Sequence, residues 1–462
     1  MNELWITGGT VLTLNPSRAI LPDTDVYIVD GTIKAIGRGD NFPPPGDAEK
    51  VIDASGKIVA PGFINAHTHA DCILVRGGLG QDQNLFDWRA AVTDPVRQLY
   101  TEEDLEAAIE LYSIEAIRSG ITTVVDLVGF RESWRHEVVL KTYARMGLRL
   151  IYCPMFTDKS MYNMPVYETT DEGLKRVQQF LDRDHLSAGG RIKIWVSPRL
   201  ARSTTPEGLR RSVELAKSYA TFTTTHCAET TRESQGSSIT TVEYLAQSGY
   251  LSERSVLAHC VWVTASDIEA LVQTQTRVVH CPSTNMYLAS GVAPIPQLLE
   301  AGIHVGLGTD NANANNQVSM AMEMREAALL HKGVNHNPQA LTAEEALEMA
   351  TIEGARVVGE DSNLGSIEVG KQADLILIDQ NRANMVPLVH IPSALVYQMS
   401  GGDVDTNIVA GKVLMKHRRL ADITPSQERR LLERTRQLAA DLVRKANIDL
   451  KRSQSWVSRI AR

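Results

Sequence analysis

Over the first sixty residues, short apolar runs alternate with turn signals. Leu4-Trp5-Ile6-Thr7 runs into Gly8-Gly9, and Thr10-Val11-Leu12-Thr13-Leu14 and Asp25-Val26-Tyr27-Ile28-Val29 follow. The pair Asp30-Gly31 then precedes Thr32-Ile33-Lys34-Ala35-Ile36-Gly37. This spacing predicts antiparallel hairpins, with Asp-Gly the strongest of the turns. The same texture returns from Gly365 to Asp374, continues through Leu375-Ile376-Leu377-Ile378-Asp379, and closes over residues 406–414. Neither set of strands can bury a face by itself. The two are therefore expected to pair into one small discontinuous β-sandwich domain built from both chain ends, residues 1–57 and 364–420.

Between these ends the pattern changes to strands alternating with helices, which predicts parallel β/α units. Residues 101–119 carry Leu105, Ala108, Ile109, Tyr112 and Ala116 on one helical stripe, close at Gly120, and feed the strand Thr122-Thr123-Val124-Val125-Asp126. Six more helix–strand units follow, with strands at 148–152, 192–196, 221–225, 255–258, 277–279 and 304–308. Counted from a strand at 58–65, this makes eight. The expected fold is α/β, a (β/α)8 TIM barrel over 58–363. Residues 421–462, rich in Arg, Glu and Leu at helical spacing, are expected as a helical tail for surface or subunit contact in a homodimer or larger homo-oligomer.

Composition acts mainly by exclusion. With 43% hydrophobic and 22% charged residues the chain is ordinary for a soluble globular protein. Its formal charge of −8 comes from scattered acids, without the basic patch that nucleic acid or anionic lipid requires. Neither a basic leader before an apolar run nor an apolar segment approaching membrane-spanning length is present in the sequence, so a cytoplasmic location is expected. The five cysteines are odd in number and spread without a framework, which points to reduced thiols. Cys227, Cys260 and Cys281 each follow a histidine. Adjacent strand residues face opposite ways, so these three are expected to pack behind a site rather than line it.

Barrel active sites gather at the C-terminal ends of the strands, so the residues that end each strand carry the chemistry. The first ends in Pro61-Gly62-Phe63-Ile64-Asn65-Ala66-His67-Thr68-His69. Residues i and i+2 of a strand share a side, which lets two imidazoles share a metal. With 12 histidines in the chain, chance alone supplies about 0.3 His-x-His pairs, so this pair is weak by itself. The fifth strand, however, ends in His226-Cys227-Ala228-Glu229, the sixth in His259-Cys260 and the eighth in Gly308-Thr309-Asp310-Asn311. Four strand ends thus bear groups able to bind metal.

These motifs resemble those of the amidohydrolase superfamily, in the branch holding cytosine, guanine and S-adenosylhomocysteine deaminases and the s-triazine chlorohydrolases. His280-Cys281-Pro282-Ser283-Thr284-Asn285 and the stretch Gly365 to Leu375 belong to the same set, so the likeness covers nearly the whole chain. The resemblance implies that His67, His69, His226 and Asp310 hold one divalent metal, zinc foremost, with iron, cobalt and manganese open. It implies Glu229, His259 and Asp310 as the catalytic groups. Such an ion lowers the pKa of its water from about 15.7 to about 7. Glu229 is then expected to protonate the ring nitrogen, Asp310 to carry a proton to the leaving group, and His259 to orient the attacking oxygen. Some members of the superfamily hold two metals through a lysine ending strand four; Lys193 comes several residues too early for that.

The expected function is hydrolytic displacement of an amino, alkylamino or halide group from a small N-heterocycle. Hydrolysis of urea, carbamate or thiocarbamate bonds on the same scaffold is the alternative, and a non-catalytic barrel acting as an interaction module is a distant one. Trp88, Arg199, Asn285 and Asn311 are the expected substrate contacts, and Leu79, Leu85 and Phe86 would join Trp88 in an apolar wall. Nucleoside deaminases of the branch carry Pro-His after strand four, where this chain reads Pro198-Arg199. Arg199 either meets an anionic or carbonyl-rich substrate or turns to solvent. Both options predict poor activity on adenosine and S-adenosylhomocysteine.

Overall fold

The structure is a computed structural model and describes residues 2–38, 50–161, 166 and 168–448. Nine strands from the two chain ends hydrogen-bond into one sheet. At its centre Lys57–Pro61 lies between Glu3–Leu12 and Leu375–Asp379, which locks an early segment against a late one. Ile20–Val29 alternates as a half-buried strand should, with Val26 and Ile28 inside. The sheet curls over until the turn at 30–33 bonds to the backbone of Lys371 and Ala373. This encloses Ile6, Val26, Ile28, Leu375, Leu377 and Ile408 in one core.

Asp30-Gly31 forms the expected two-residue hairpin, with Val29 opposite Thr32 and φ of 47° and 79° at its two residues. Gly8-Gly9 is not a turn. Glu3–Leu12 runs through it as one strand, with register shifts around Gly9 against a continuous partner. The irregularity is a bulge, which local turn chemistry does not distinguish from a hairpin.

The expected strand at 58–65 is two strands in two sheets. Lys57–Pro61 pairs antiparallel with Leu375–Asp379, whereas Phe63–His69 pairs parallel with Ile121–Val128. The apolar run continues through the switch at Gly62, so periodicity does not mark it. Arg149–Phe156, Ile192–Ile194 with Ser197–Pro198, Thr223–Cys227, Ser255–His259, Arg277–His280 and Val305–Leu307 follow in parallel order. Bridges Val196↔Thr223 and Leu200↔His226 join the fourth position to the fifth, and Asp310–Asn311 pairs with Thr68 and His69 of the first. The ring so closed is the (β/α)8 barrel. Ile64, Val125, Ile151, Trp195, Val256 and Val279 fill it as one cluster. Among the described residues no helix is long and apolar enough to cross a membrane.

The helix Pro425–Lys445 lies on Glu102–Ser119 of its own barrel. Leu431 and Leu442 are buried, and Arg434 faces Glu103, Glu106 and Glu110. The rest of the expected tail, 449–462, lies outside the described residues.

Sheet and barrel are tied where the chain passes from one to the other. Arg149, at the start of the third barrel strand, donates two 2.9 Å hydrogen bonds to the Asp374 carboxylate. That carboxylate also accepts from the Ala410 N–H at 2.8 Å, while the Asp374 carbonyl accepts from Gly62 N–H at 2.9 Å. Both side chains are buried. Asp374→Ala strands a buried guanidinium, and a loss of about 3–5 kcal/mol in unfolding free energy is expected. Urea unfolding reads it, and a loss below about 1 kcal/mol would show that the pair holds nothing together.

Candidate metal centre and active site

His67 and His69 reach the barrel mouth through a bulge. Between Asn65 and Thr68 the first strand holds one residue more than its neighbour, where Val124 and Asp126 are the partners. Without that extra residue, both histidines would share the helix-facing side of Phe63, which packs in the outer core. The first and eighth strands are then fastened together. Asn65 Nδ2 donates to Thr309 Oγ1 at 2.7 Å, Thr309 N–H donates to Asn65 Oδ1 at 3.0 Å, and Thr68 Oγ1 donates to the Asp310 carbonyl at 3.0 Å. Gly308 permits the approach, since a Cβ there would sit 2.8 Å from the Cβ and carbonyl oxygen of His67. Asp310 Oδ1 thereby lies 3.4 Å from His67 Nε2 and 3.5 Å from His69 Nε2.

The imidazoles are arranged for a cation. His69 Nδ1 bonds the Leu127 carbonyl at 2.6 Å and His226 Nδ1 the Arg199 carbonyl at 2.5 Å. A carbonyl only accepts, so each Nδ1 carries the proton and each Nε2 presents a lone pair. Burial pulls the His69 pKa down to about 3 and His226 well below its ordinary value, so neither ring takes a second proton near neutrality. The two Nε2 atoms nevertheless stand 3.1 Å apart. Two lone pairs at that distance repel unless a positive ion lies between them. Among the described residues His67 Nε2 has no hydrogen-bond partner, and burial lowers its pKa as well. Burial alone would raise Asp310, but the surrounding imidazoles, His67 first, hold it far below the usual carboxylate range. Donor atoms of His67, His69 and Asp310 lie within 4.8 Å of one another, as do those of His67, His226 and His259. Three imidazoles and a carboxylate are a donor set that a divalent zinc-like ion fits.

Beside this cluster, Glu229 Oε2 lies 3.7 Å from His259 Nε2. Burial pushes the Glu229 carboxyl up to about 7, and its Oε1 has no partner among the described residues. Burial opposes charging His259, yet the Glu229 and Asp310 carboxylates outweigh it and its pKa is raised. Asn285 does not reach the cavity where a substrate contact was expected. It stands behind His259, with Oδ1 3.0 Å from Nδ1, because the His259 ring lies between it and the opening.

The cavity above the cluster, about 50 Å³, is lined by His69, His226, Glu229, His259, Asp310 and Asn311 together with Leu85, Phe86, Trp88 and Arg199. It adjoins a larger one of about 710 Å³ that shares Phe86, Arg89, Arg97, Met155 and Arg199. Arg199 therefore faces the pocket. Its one ion pair among the described residues is a 3.9 Å contact to Asp94, and burial, with Arg89 and Arg97 nearby, draws its pKa down to about 9. Leu79 lies in the outer core instead of the cavity wall. The five cysteines are free and buried, and none lines the cavity.

Two elements of the site have no place in the sequence reading. Asp71, just past the first strand, receives two hydrogen bonds from Arg97 at 2.7 and 2.9 Å, which holds Arg97 on the cavity wall. Glu233 accepts from the backbone N–H groups of Ala228, Glu229 and Thr230 at 2.8, 2.7 and 3.3 Å. The second had a signal, since Thr230-Thr231-Arg232-Glu233 is a capping-box pattern.

The amidohydrolase family model matches residues 58–414. A 5'-deoxyadenosine deaminase of Methanobrevibacter smithii is 38% identical over 382 residues, covering 82% of this chain and 85% of the relative. A 5-methylthioadenosine/S-adenosylhomocysteine deaminase of Thermoanaerobacter pseudethanolicus is 35% identical over 425 residues, covering 91% and 95%. An adenosine deaminase from Xanthomonas campestris, solved with bound zinc, matches with a TM-score of 0.85 at 28% identity, covering 95% of this chain and 98% of that one.

Proposed function

The chain belongs to the amidohydrolase family, and from that premise we propose that it is an aminohydrolase releasing ammonia from an amino-substituted nitrogen heterocycle. One divalent ion, zinc foremost, would be held by His67, His69, His226 and Asp310. The observation that carries the reading is Glu229: a buried carboxyl near pKa 7, with an oxygen unpartnered among the described residues, on the wall of the cavity that His69, His226 and Asp310 also line. A group half-protonated at neutrality both takes and gives a proton.

When bound, the ion supplies acidified water for attack on the ring carbon. Glu229 protonates the adjacent ring nitrogen as the carbon becomes tetrahedral, and regains a proton from the new hydroxyl as the carbonyl forms. Asp310 takes a proton from the attacking water and passes it to the departing amine. His259, held by Asn285 and leaning toward its charged form, donates a hydrogen bond to the attacking oxygen and stays out of the ligand set. Lys193 is ion-paired with Glu360, which supports one ion over two. Hydrolysis of urea or carbamate bonds needs no ring protonation, so Glu229 disfavours it.

The test is ammonia release across a panel of aminopurines, aminopyrimidines and amino-s-triazines, with metal measured on the same sample. Release of chloride or alkylamine alone would replace the reading. Within the panel Arg199 favours a compact ring bearing a carbonyl or anionic group. Poor turnover of adenosine and S-adenosylhomocysteine is expected, even though the relatives are named for adenosine derivatives. A kcat/KM for adenosine above about 10⁵ M⁻¹s⁻¹, well inside the usual enzyme range, would show that Arg199 does not discriminate.

A further inference from the structure

The loop that carries Glu229 is shaped around a second buried carboxylate, Glu233, at the border of the same cavity. Ala228, directly before Glu229, has a left-handed backbone with φ of 51°, a conformation that costs a non-glycine residue about 1–2 kcal/mol. The turn aims the N–H groups of residues 228, 229 and 230 at one point, and Glu233 fills that point with both oxygens, Oε2 on Ala228 and Oε1 on Glu229 and Thr230. Converging backbone N–H groups form an anion cradle, and here the anion is covalently part of the chain. Its pKa is raised, burial being the largest cause, with the three N–H bonds opposing it. Glu229, by contrast, has no side-chain hydrogen bond among the described residues and only the 3.7 Å approach to His259. Its aim is therefore set by its backbone.

We propose that Glu233 is the positioning residue for the proton shuttle: by gathering the N–H groups of Ala228, Glu229 and Thr230 it fixes the backbone from which Glu229 reaches the substrate ring. This rests on Glu229 being the shuttle, as proposed above. Displacing a catalytic group by about 1 Å can cost about 10²-fold, which sets the expected effect.

The experiment compares Glu233→Ala, Glu233→Gln, Glu229→Gln and the double variant Glu229→Gln/Glu233→Ala. Each is assayed on the best aminated substrate from the panel and on a chloro-substituted analogue of the same ring, with metal content and KM measured alongside. Glu233→Ala should lower kcat on the aminated substrate about 10²-fold, with metal content kept and KM changed less than threefold. The loss on the chloro analogue should be at least tenfold smaller. Glu233→Gln keeps the volume and one acceptor oxygen, so it should fall between wild type and alanine. In the Glu229→Gln background, Glu233→Ala should add less than about threefold, since there is no shuttle left to aim. Equal losses on both substrates, loss of metal, or full additivity would assign Glu233 a general structural role and overturn the inference. A failure of Glu229→Gln itself to reduce activity would overturn the shuttle reading instead. Should Glu233→Ala fail to fold, Glu233→Gln and its double variant carry the same comparison.

Discussion

Replacing His226 with alanine is expected to empty the metal site and end turnover, with kcat/KM falling by at least about 10⁴-fold. The size follows from what the ion contributes, a shift of some eight to nine units in the pKa of its water. His226 is chosen because its role is separable from the fold. Thr223–Cys227 is held on one side by Ser255–His259 and on the other by the bridges to Val196 and Leu200, all through backbone. The lost side chain gives up one hydrogen bond, to the Arg199 carbonyl, and the lone-pair contact with His69. The variant should therefore show native circular dichroism with well under 0.1 equivalent of bound divalent ion, against close to one in the parent chain. Elemental analysis giving two ions per active chain, or none, would end the mononuclear reading.

What the sequence discloses and what it hides divide along a physical line. Seven of the eight strands, the helices between them and the close of the first of these helices at Gly120 are local properties, written in period and cap chemistry, and the structure bears them out. The residues that end the barrel strands were legible because strand order and position in a parallel barrel determine which side chains meet. Three features depend on partners distant in sequence and were not legible. One is the passage of the apolar run at Gly62 from one sheet to the other, which only Leu375–Asp379 reveals. Another is the bulge between Asn65 and Thr68 that turns His67 and His69 into the barrel. A spacing of two says that they share a side and not which side. The third is Asn285, carried on the helix Pro282–Tyr287, whose side chain meets His259 at the sixth strand end. The direction of Arg199 also waited on the structure, because the bond from His226 is to its backbone and leaves the side chain undetermined.

Glu229→Gln is expected to keep the fold and the ion while lowering kcat by about 10²–10⁴-fold on substrates whose ring nitrogen must be protonated. Glutamine matches the volume and polarity of the glutamic acid but has no transferable proton. An electron-poor ring with a good leaving group depends less on that proton, so the loss on a chloro analogue should be smaller. Equal, near-zero losses on both would mark Glu229 as a bystander. Stability supplies an opposing signature. Burial raises the Glu229 pKa from 4.5 to about 7, so between those values the folded chain binds a proton that the unfolded chain has released. By linkage, its contribution to stability falls as pH rises through that window. Above pH 7 the folded state bears the full cost of an ionised buried carboxylate, which glutamine avoids. In metal-stripped protein at pH 8 the variant should be the more stable of the two, by up to about 3 kcal/mol, and the difference should vanish by about pH 4.5. A residue that holds structure loses stability with function. Gain of one with loss of the other, read by urea unfolding at the two pH values, is what a buried group kept for its proton should show.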